Sequence, residues 1–132
     1  MKVGSRHYHT IWLNPDGRSV DIIDQRWLPH EFRVVTLKTV DEAATAIRDM
    51  WVRGAPLIGA TAAYGICLAL SADASDEALE RAYAKLLATR PTAINLKWAL
   101  DEMKRVLRPA APSERAQIAY ARAAEIAEED VA

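Results

Sequence analysis

Between Arg53 and Asp73 the chain carries no charged residue, and this stretch constrains the fold more than any other. A helix without a polar face has to be covered on every side, by lipid or by other elements of the same protein. The stretch approaches the length of a membrane span. Its content favours the second solution. Pro56 stands near its start, Gly59 and Gly65 interrupt it, Thr61, Tyr64 and Ser71 are polar, and much of the rest is alanine, whose transfer from water gains little compared with leucine. It reads as a buried helix at the centre of a helical layer, its small residues letting neighbouring backbones approach, with no membrane association expected.

The flanking sequence supplies the elements that cover it. Thr39 and Glu42 have capping-box spacing, and Ala44, Ile47 and Trp51 then recur on one face, predicting a first helix to about Val52. Arg53-Gly54-Ala55-Pro56 breaks that helix, and Pro56 suits the first turn of the uncharged one, which runs to about Leu70. Ser75, Asp76 and Glu77 start a third helix with Leu79, Tyr83, Leu86 and Leu87 inward, stopping at Thr89-Arg90-Pro91. A fourth runs from Thr92 or Ala93 to near Pro109 with Leu96, Leu100, Met103 and Leu107 along one stripe. Pro112-Ser113-Glu114 opens a fifth, with Ala116, Ala119, Tyr120, Ala123, Ile126 and Ala127 as its buried stripe. Glu128, Glu129 and Asp130 then crowd the negative end of the dipole with no closing Gly, Asn or Pro. Such an ending suits a helix that continues in a longer chain or one that frays.

Ahead of the helices, Thr10-Ile11-Trp12-Leu13 and Ser19-Val20-Asp21-Ile22-Ile23 flank Asn14-Pro15-Asp16-Gly17, a hairpin signature. The β-branched segment Phe32 to Leu37 adds a third strand, with the pairing order not readable. The expected fold is α+β: a small antiparallel three-stranded sheet over about residues 10–37, followed by a bundle of about five helices over about residues 40–130. At 132 residues and 51% hydrophobic content, one domain covering the whole chain can remove roughly two thirds of its unfolded surface from water.

Charge and cysteine usage exclude several classes. The 17 basic and 18 acidic residues leave a formal charge of -1, so no nucleic-acid-binding field is expected and any phosphate site is local. The single cysteine, Cys67, allows no internal disulfide, no signal peptide is read at the start, and a cytoplasmic location is expected. Cys67 lies in the uncharged helix without a nearby base and reads as core. His7, His9 and His30 lack metal-ligand spacing, so no metal is expected. Trp12, Trp27, Trp51 and Trp98 are scattered, which favours core or interface packing.

Two segments can carry chemistry. In Arg53-Gly54-Ala55-Pro56, a helix N-terminus exposes N–H groups and partial positive charge that suit a phosphate. Gly54 allows close backbone approach, Ala55 and Leu57 offer N–H groups, Arg53 adds a charge-assisted contact, and Pro56 donates nothing. The same four residues also read as a tight helix-to-helix turn with a solvent-facing arginine. Thr89 to Asn95 sets Arg90 at another helix start, where Thr92 and Asn95 can bind hydroxyls or simply cap the backbone. Asp24 and Gln25 lie just past the second strand, as strand-end polar groups or as the edge of a pocket.

Several strings, in order, resemble one enzyme family: Ile23-Asp24-Gln25 with Leu28-Pro29, Ala43-Ala44 through Arg48, Val52-Arg53-Gly54-Ala55-Pro56-Leu57-Ile58-Gly59, and Arg90-Pro91-Thr92-Ala93-Ile94-Asn95-Leu96. They are similar to methylthioribose-1-phosphate isomerases. That group also includes regulatory subunits of the initiation-factor-2B exchange complex and archaeal ribose-1,5-bisphosphate isomerases. The resemblance covers Thr10 to Val106. It implies an aldose-to-ketose conversion of 5-methylthioribose 1-phosphate in methionine salvage, with no organic cofactor.

By the same resemblance Arg53, Gly54 and Ala55 bind substrate and Arg90 reaches its phosphate. The family's catalytic cysteine and aspartate belong to a C-terminal Rossmann-like domain whose motifs these residues do not contain, and Cys67 does not match that cysteine's motif. The implied chain is therefore a substrate-binding N-terminal domain, inactive alone, whose full-length relatives are homodimers. A regulatory subunit that binds without turnover, and a helical module docking a partner through the uncharged helix, are the competing expectations.

Overall fold

A computed structural model describes residues 2–3, 6–7, 11–14, 19–24, 33–49, 51–52, 55–90 and 93–131. Strands β1 (Lys2–Val3) and β2 (Arg6–His7) form an antiparallel ribbon that the sequence did not announce, each strand being too short to show alternation. Strands β3 (Ile11–Leu13), β4 (Val20–Asp24) and β5 (Arg33–Leu37) make the expected antiparallel sheet, in the order β3-β4-β5. Ile11 faces Ile22 and Leu13 faces Val20 across one pairing, while Val20 faces Leu37 and Ile22 faces Val35 across the other.

The central strand is buried on both faces, Ile23 as fully as Val20 and Ile22. Asp21 is buried with them and is satisfied from both neighbouring strands. Its carboxylate accepts from Asn14 Nδ2 at 3.0 Å and from Thr36 Oγ1 at 2.7 Å. The chain on either side of the expected hairpin turn closes as predicted, with the Asn14 N–H donating to the Ser19 carbonyl; Pro15 to Gly17 themselves lie outside the described residues.

Helix α1 (Val40–Arg48) starts with the anticipated capping box, Glu42 N–H donating to Thr39 Oγ1 at 3.1 Å and Thr39 N–H to Glu42 Oε1 at 3.2 Å. It stops at Arg48, short of the expected Val52. Asp49 leaves the helix, and Trp51 N–H reaches the Ala46 carbonyl at 2.9 Å, one residue further back than a helical bond. The apolar period had continued through Trp51 and Val52 because both still pack inward, half-buried and buried, from a turn.

Helix α2 (Ala55–Ala72) is the uncharged segment, and it runs two residues past the expected end. Every residue from Leu57 to Leu68, and Leu70, is buried, and α1 together with three later helices packs around it. Its polar side chains turn back on the helix: Thr61 Oγ1 donates to the Leu57 carbonyl at 2.8 Å and Ser71 Oγ to the Cys67 carbonyl at 3.1 Å. Among the described residues no helix is long and apolar enough to cross a membrane.

Helices α3 (Asp76–Leu87), α4 (Ile94–Leu107) and α5 (Pro112–Val131) complete the bundle. Ser75 caps α3 through the Ala78 N–H at 3.1 Å. Leu79 and Leu86 are buried as read, while Tyr83 and Leu87 are half-buried and Ala78 and Ala82 fill the remaining contact. The α4 stripe of Leu96, Leu100, Met103 and Leu107 is buried in full. On α5 the stripe differs in part: Ala116 and Tyr120 are half-buried, and Arg115, not expected inside, is 3% exposed.

Candidate functional site

Of the first corner, Arg53 and Gly54 lie outside the described residues. Ala55 is the first residue of α2. With Pro56 lacking an N–H, the backbone donors that α2's opening turn can present are those of Ala55 and Leu57. Arg90 lies within the α3–α4 connection, half-buried, and its carbonyl accepts from the Ala93 N–H at 3.0 Å. No side chain among the described residues holds its guanidinium, whereas Arg81, Arg105, Arg115 and Arg122 are each engaged by a carboxylate.

Pro91 and Thr92 also lie outside the described residues. The α4 N-cap position falls on Ala93, which has no side-chain oxygen to offer, so the expected side-chain cap is not what starts this helix. Asn95 sits in the first turn, half-buried. The first intrahelical bond runs from Lys97 N–H to the Ala93 carbonyl at 3.2 Å, which leaves the N–H groups of Ile94, Asn95 and Leu96 directed out of the helix end.

The sequence presented two separate corners; the structure joins them. Gly59, in the second turn of α2, stands against the first turn of α4, where an added Cβ would lie 3.0 Å from the Asn95 carbonyl oxygen. Gly59 is the fifth residue of α2 and Asn95 the second of α4, so this approach brings the positive ends of the two helices close together. The charge pattern agrees: α1, α3 and α5 each carry an acid in the first turn, and α2 and α4 carry none. Two dipole ends unscreened by their own carboxylates, with Arg90 beside them, make an environment suited to an anion.

Among the described residues the corner holds no proton-transfer pair. From Ala55 to Ala63 α2 has no titratable side chain. Cys67 is fully buried, its Sγ donating to the Ala63 carbonyl at 3.5 Å, and burial pushes its thiol well above the ordinary range. His7 falls in β2, Asp24 closes β4 opposite Arg33, and His9, Gln25, Trp27 and His30 lie outside the described residues. No cluster of metal-ligating side chains occurs among the described residues.

Described residues also line hollows elsewhere. One, about 270 Å³, has an apolar floor including Val40, Leu68 and Ala82 with Lys38, Arg81 and Lys85 at its rim, and lies at the far end of α2. Another, about 320 Å³, is walled by Thr45, Arg48, Lys85 and Thr89, the last adjoining Arg90.

Comparison with known proteins gives a consistent result. The chain is 72% identical over 131 residues to a methylthioribose-1-phosphate isomerase of Brucella anthropi, covering 99% of this chain and 36% of that protein. It is 59% identical to the Escherichia coli protein of the same name, with 100% and 36% covered. The chain thus spans about a third of the length of these relatives. Its fold superposes with a TM-score of 0.82 and 38% identity on the 5-methylthioribose 1-phosphate isomerase of Pyrococcus horikoshii, covering 92% of this chain and 36% of that one. The TM-score is 0.84, at 33% identity, on the translation initiation factor eIF-2B subunit delta of A. fulgidus, covering 95% and 38%. The sequence profile described as "Initiation factor 2 subunit family" matches residues 51–132, from the approach to α2 through α5. The chain belongs to the initiation factor 2 subunit family.

Proposed function

We propose that this chain is the N-terminal, substrate-holding part of a methylthioribose-1-phosphate isomerase, which converts 5-methylthioribose 1-phosphate to 5-methylthioribulose 1-phosphate. The observation that carries the reading is the convergence of the α2 and α4 N-termini at Gly59 and Asn95 beside Arg90. The identity to proteins of that name supports the substrate. Arg53, Gly54 and Ala55 bind the substrate from one side and Arg90 grips its phosphate from the other.

An aldose–ketose exchange moves a proton between C1 and C2, and the phosphate of this substrate is attached at C1. Fixing the phosphate therefore fixes the reacting carbons within a few bonds, where small errors of placement are costly. The proton itself needs an acid and a base within hydrogen-bond reach. In this proposal they come from a Rossmann-like catalytic domain outside these residues, no organic cofactor takes part, and the chain alone does not turn substrate over. The full-length enzyme is proposed to be a cytoplasmic homodimer that does not engage nucleic acid.

The initiation-factor likeness supports a second reading, a subunit that binds a sugar phosphate without converting it, since the fold is shared equally with that structure. The higher identity to proteins named as isomerases favours catalysis. Calorimetric titration of the chain, Arg53→Ala and Arg90→Ala with methylthioribose 1-phosphate, and with methylthioribose as the control, tests the site. Binding should require the phosphate and weaken in both variants; equal binding of the two sugars would refute it.

A further inference from the structure

A Cβ placed on Gly59 would lie 3.0 Å from the Asn95 carbonyl oxygen, 3.5 Å from its carbonyl carbon and 3.6 Å from Ala99 Cβ. The first obstacle is backbone, held in the opening turn of α4, with no rotamer through which to yield. We propose that Gly59 is a positioning residue for the anion corner. Its missing side chain sets the separation of α2 and α4, and with it the distance between the donors of Ala55 and Leu57 and those of Ile94, Asn95 and Leu96. This assignment rests on the anion-site reading above.

The consequence of a side chain here follows from the spacing. Ordinary van der Waals contact begins at 3.4 Å, so the two helices have to part by several tenths of an ångström at their N-terminal ends. A phosphate held from both helices cannot follow both, and hydrogen bonds on one side lengthen. Sites of this kind tolerate displacement of only about half an ångström.

Gly65 provides the comparison within the same helix. A Cβ there would lie 3.0 and 3.1 Å from the two Leu86 methyls and 3.2 Å from Ala43 Cβ. It is just as crowded, but against a leucine side chain that can rotate, and about 9 Å further along the axis from the corner. Crowding at Gly65 loosens packing against α1 and α3 without touching the α2–α4 spacing at the N-termini.

The test is calorimetric titration of the unaltered chain, Gly59→Ala and Gly65→Ala with inorganic phosphate and with methylthioribose 1-phosphate, alongside amide hydrogen exchange at Ile94 to Lys97. Gly59→Ala is expected to weaken binding of both ligands about tenfold and to speed exchange in that turn. Gly65→Ala is expected to leave affinity and that exchange unchanged. Ala99→Val, which wedges the same crossing from the α4 side, should reproduce the Gly59→Ala loss and serves if Gly59→Ala does not fold. Unchanged affinity in a folded Gly59→Ala or Ala99→Val chain, or an equal loss in Gly65→Ala, overturns the positioning role alone. An unaltered chain that takes up neither ligand refutes the anion site itself, and the positioning role falls with it.

Discussion

Arg115 donates from Nε to the carbonyl oxygen of Leu107 at 3.0 Å, capping α4 from the side of the following helix. Its Nη2 reaches the Arg108 carbonyl at 3.1 Å, and Nη1 the Ala74 carbonyl at 2.9 Å on the α2–α3 connection. Asp76 completes the set as its ion-pair partner. One side chain, 3% exposed, thus satisfies carbonyls from two connections. Arg115→Met keeps the bulk but removes the donors, and should cost about 3 kcal/mol in urea unfolding. Arg115→Lys should recover only part, since an ammonium lacks the planar fork that meets divergent carbonyls. A loss below about 1 kcal/mol in the methionine variant would show that water replaces the clamp.

Glu102 links α4 to α5 through charge. Hydrogen bonds from Arg105, and then from Arg122, hold its carboxyl at about 2 against the burial that pushes it up. In the unfolded chain the group titrates at about 4.3. The folded value is the lower one, so the stabilisation is complete above the unfolded value and disappears as pH falls through about 2. Between those limits unfolding midpoints should drop with pH more steeply for the unaltered chain than for Glu102→Gln. Identical slopes would mean the carboxylate is not held this way.

Cys67 should be inert while the chain is folded. Its thiol is buried inside α2 and shifted away from the thiolate. A disulfide-exchange reagent at mildly alkaline pH should label nothing under native conditions and one thiol per chain in denaturant. Prompt native labelling would place the thiol at the surface and reopen its assignment to the core.

Ile94 and Trp98, one turn apart on the outer side of α4, are 83% and 51% exposed, while Ile47 on α1 is fully buried. Ile94→Thr and Trp98→Gln should therefore change stability by no more than about 0.5 kcal/mol. Ile47→Ala should cost about 2–5 kcal/mol by removing packed methyls and leaving a cavity. Equal effects at exposed and buried positions would contradict the arrangement of α4.

What was legible in the sequence was local. The Thr39–Glu42 box and the Ser75 cap were readable because each cap and its partner stand three residues apart. The absence of charge from Arg53 to Asp73 announced the central helix, since no solvated face could be assigned to it. Arg115 was not legible, because its partners are backbone carbonyls of distant turns, and an arginine after Glu114 reads as a surface residue. The end of α1 was missed for the opposite reason: Trp51 kept the helical period while leaving the helix. Both halves of the anion corner were visible as arginine-bearing helix starts. Their meeting was not, because it depends on the Gly59–Asn95 approach, which no single segment encodes.

The central claim is that this chain is the substrate-holding third of an isomerase. The direct test grafts residues 1–132 in place of the matching third of a relative named as methylthioribose-1-phosphate isomerase and follows conversion of methylthioribose 1-phosphate. The account predicts turnover by the graft, a raised KM on Arg90→Ala, and none by the 132-residue chain alone. A graft that folds yet fails to convert the substrate, or conversion by the chain alone, would contradict it.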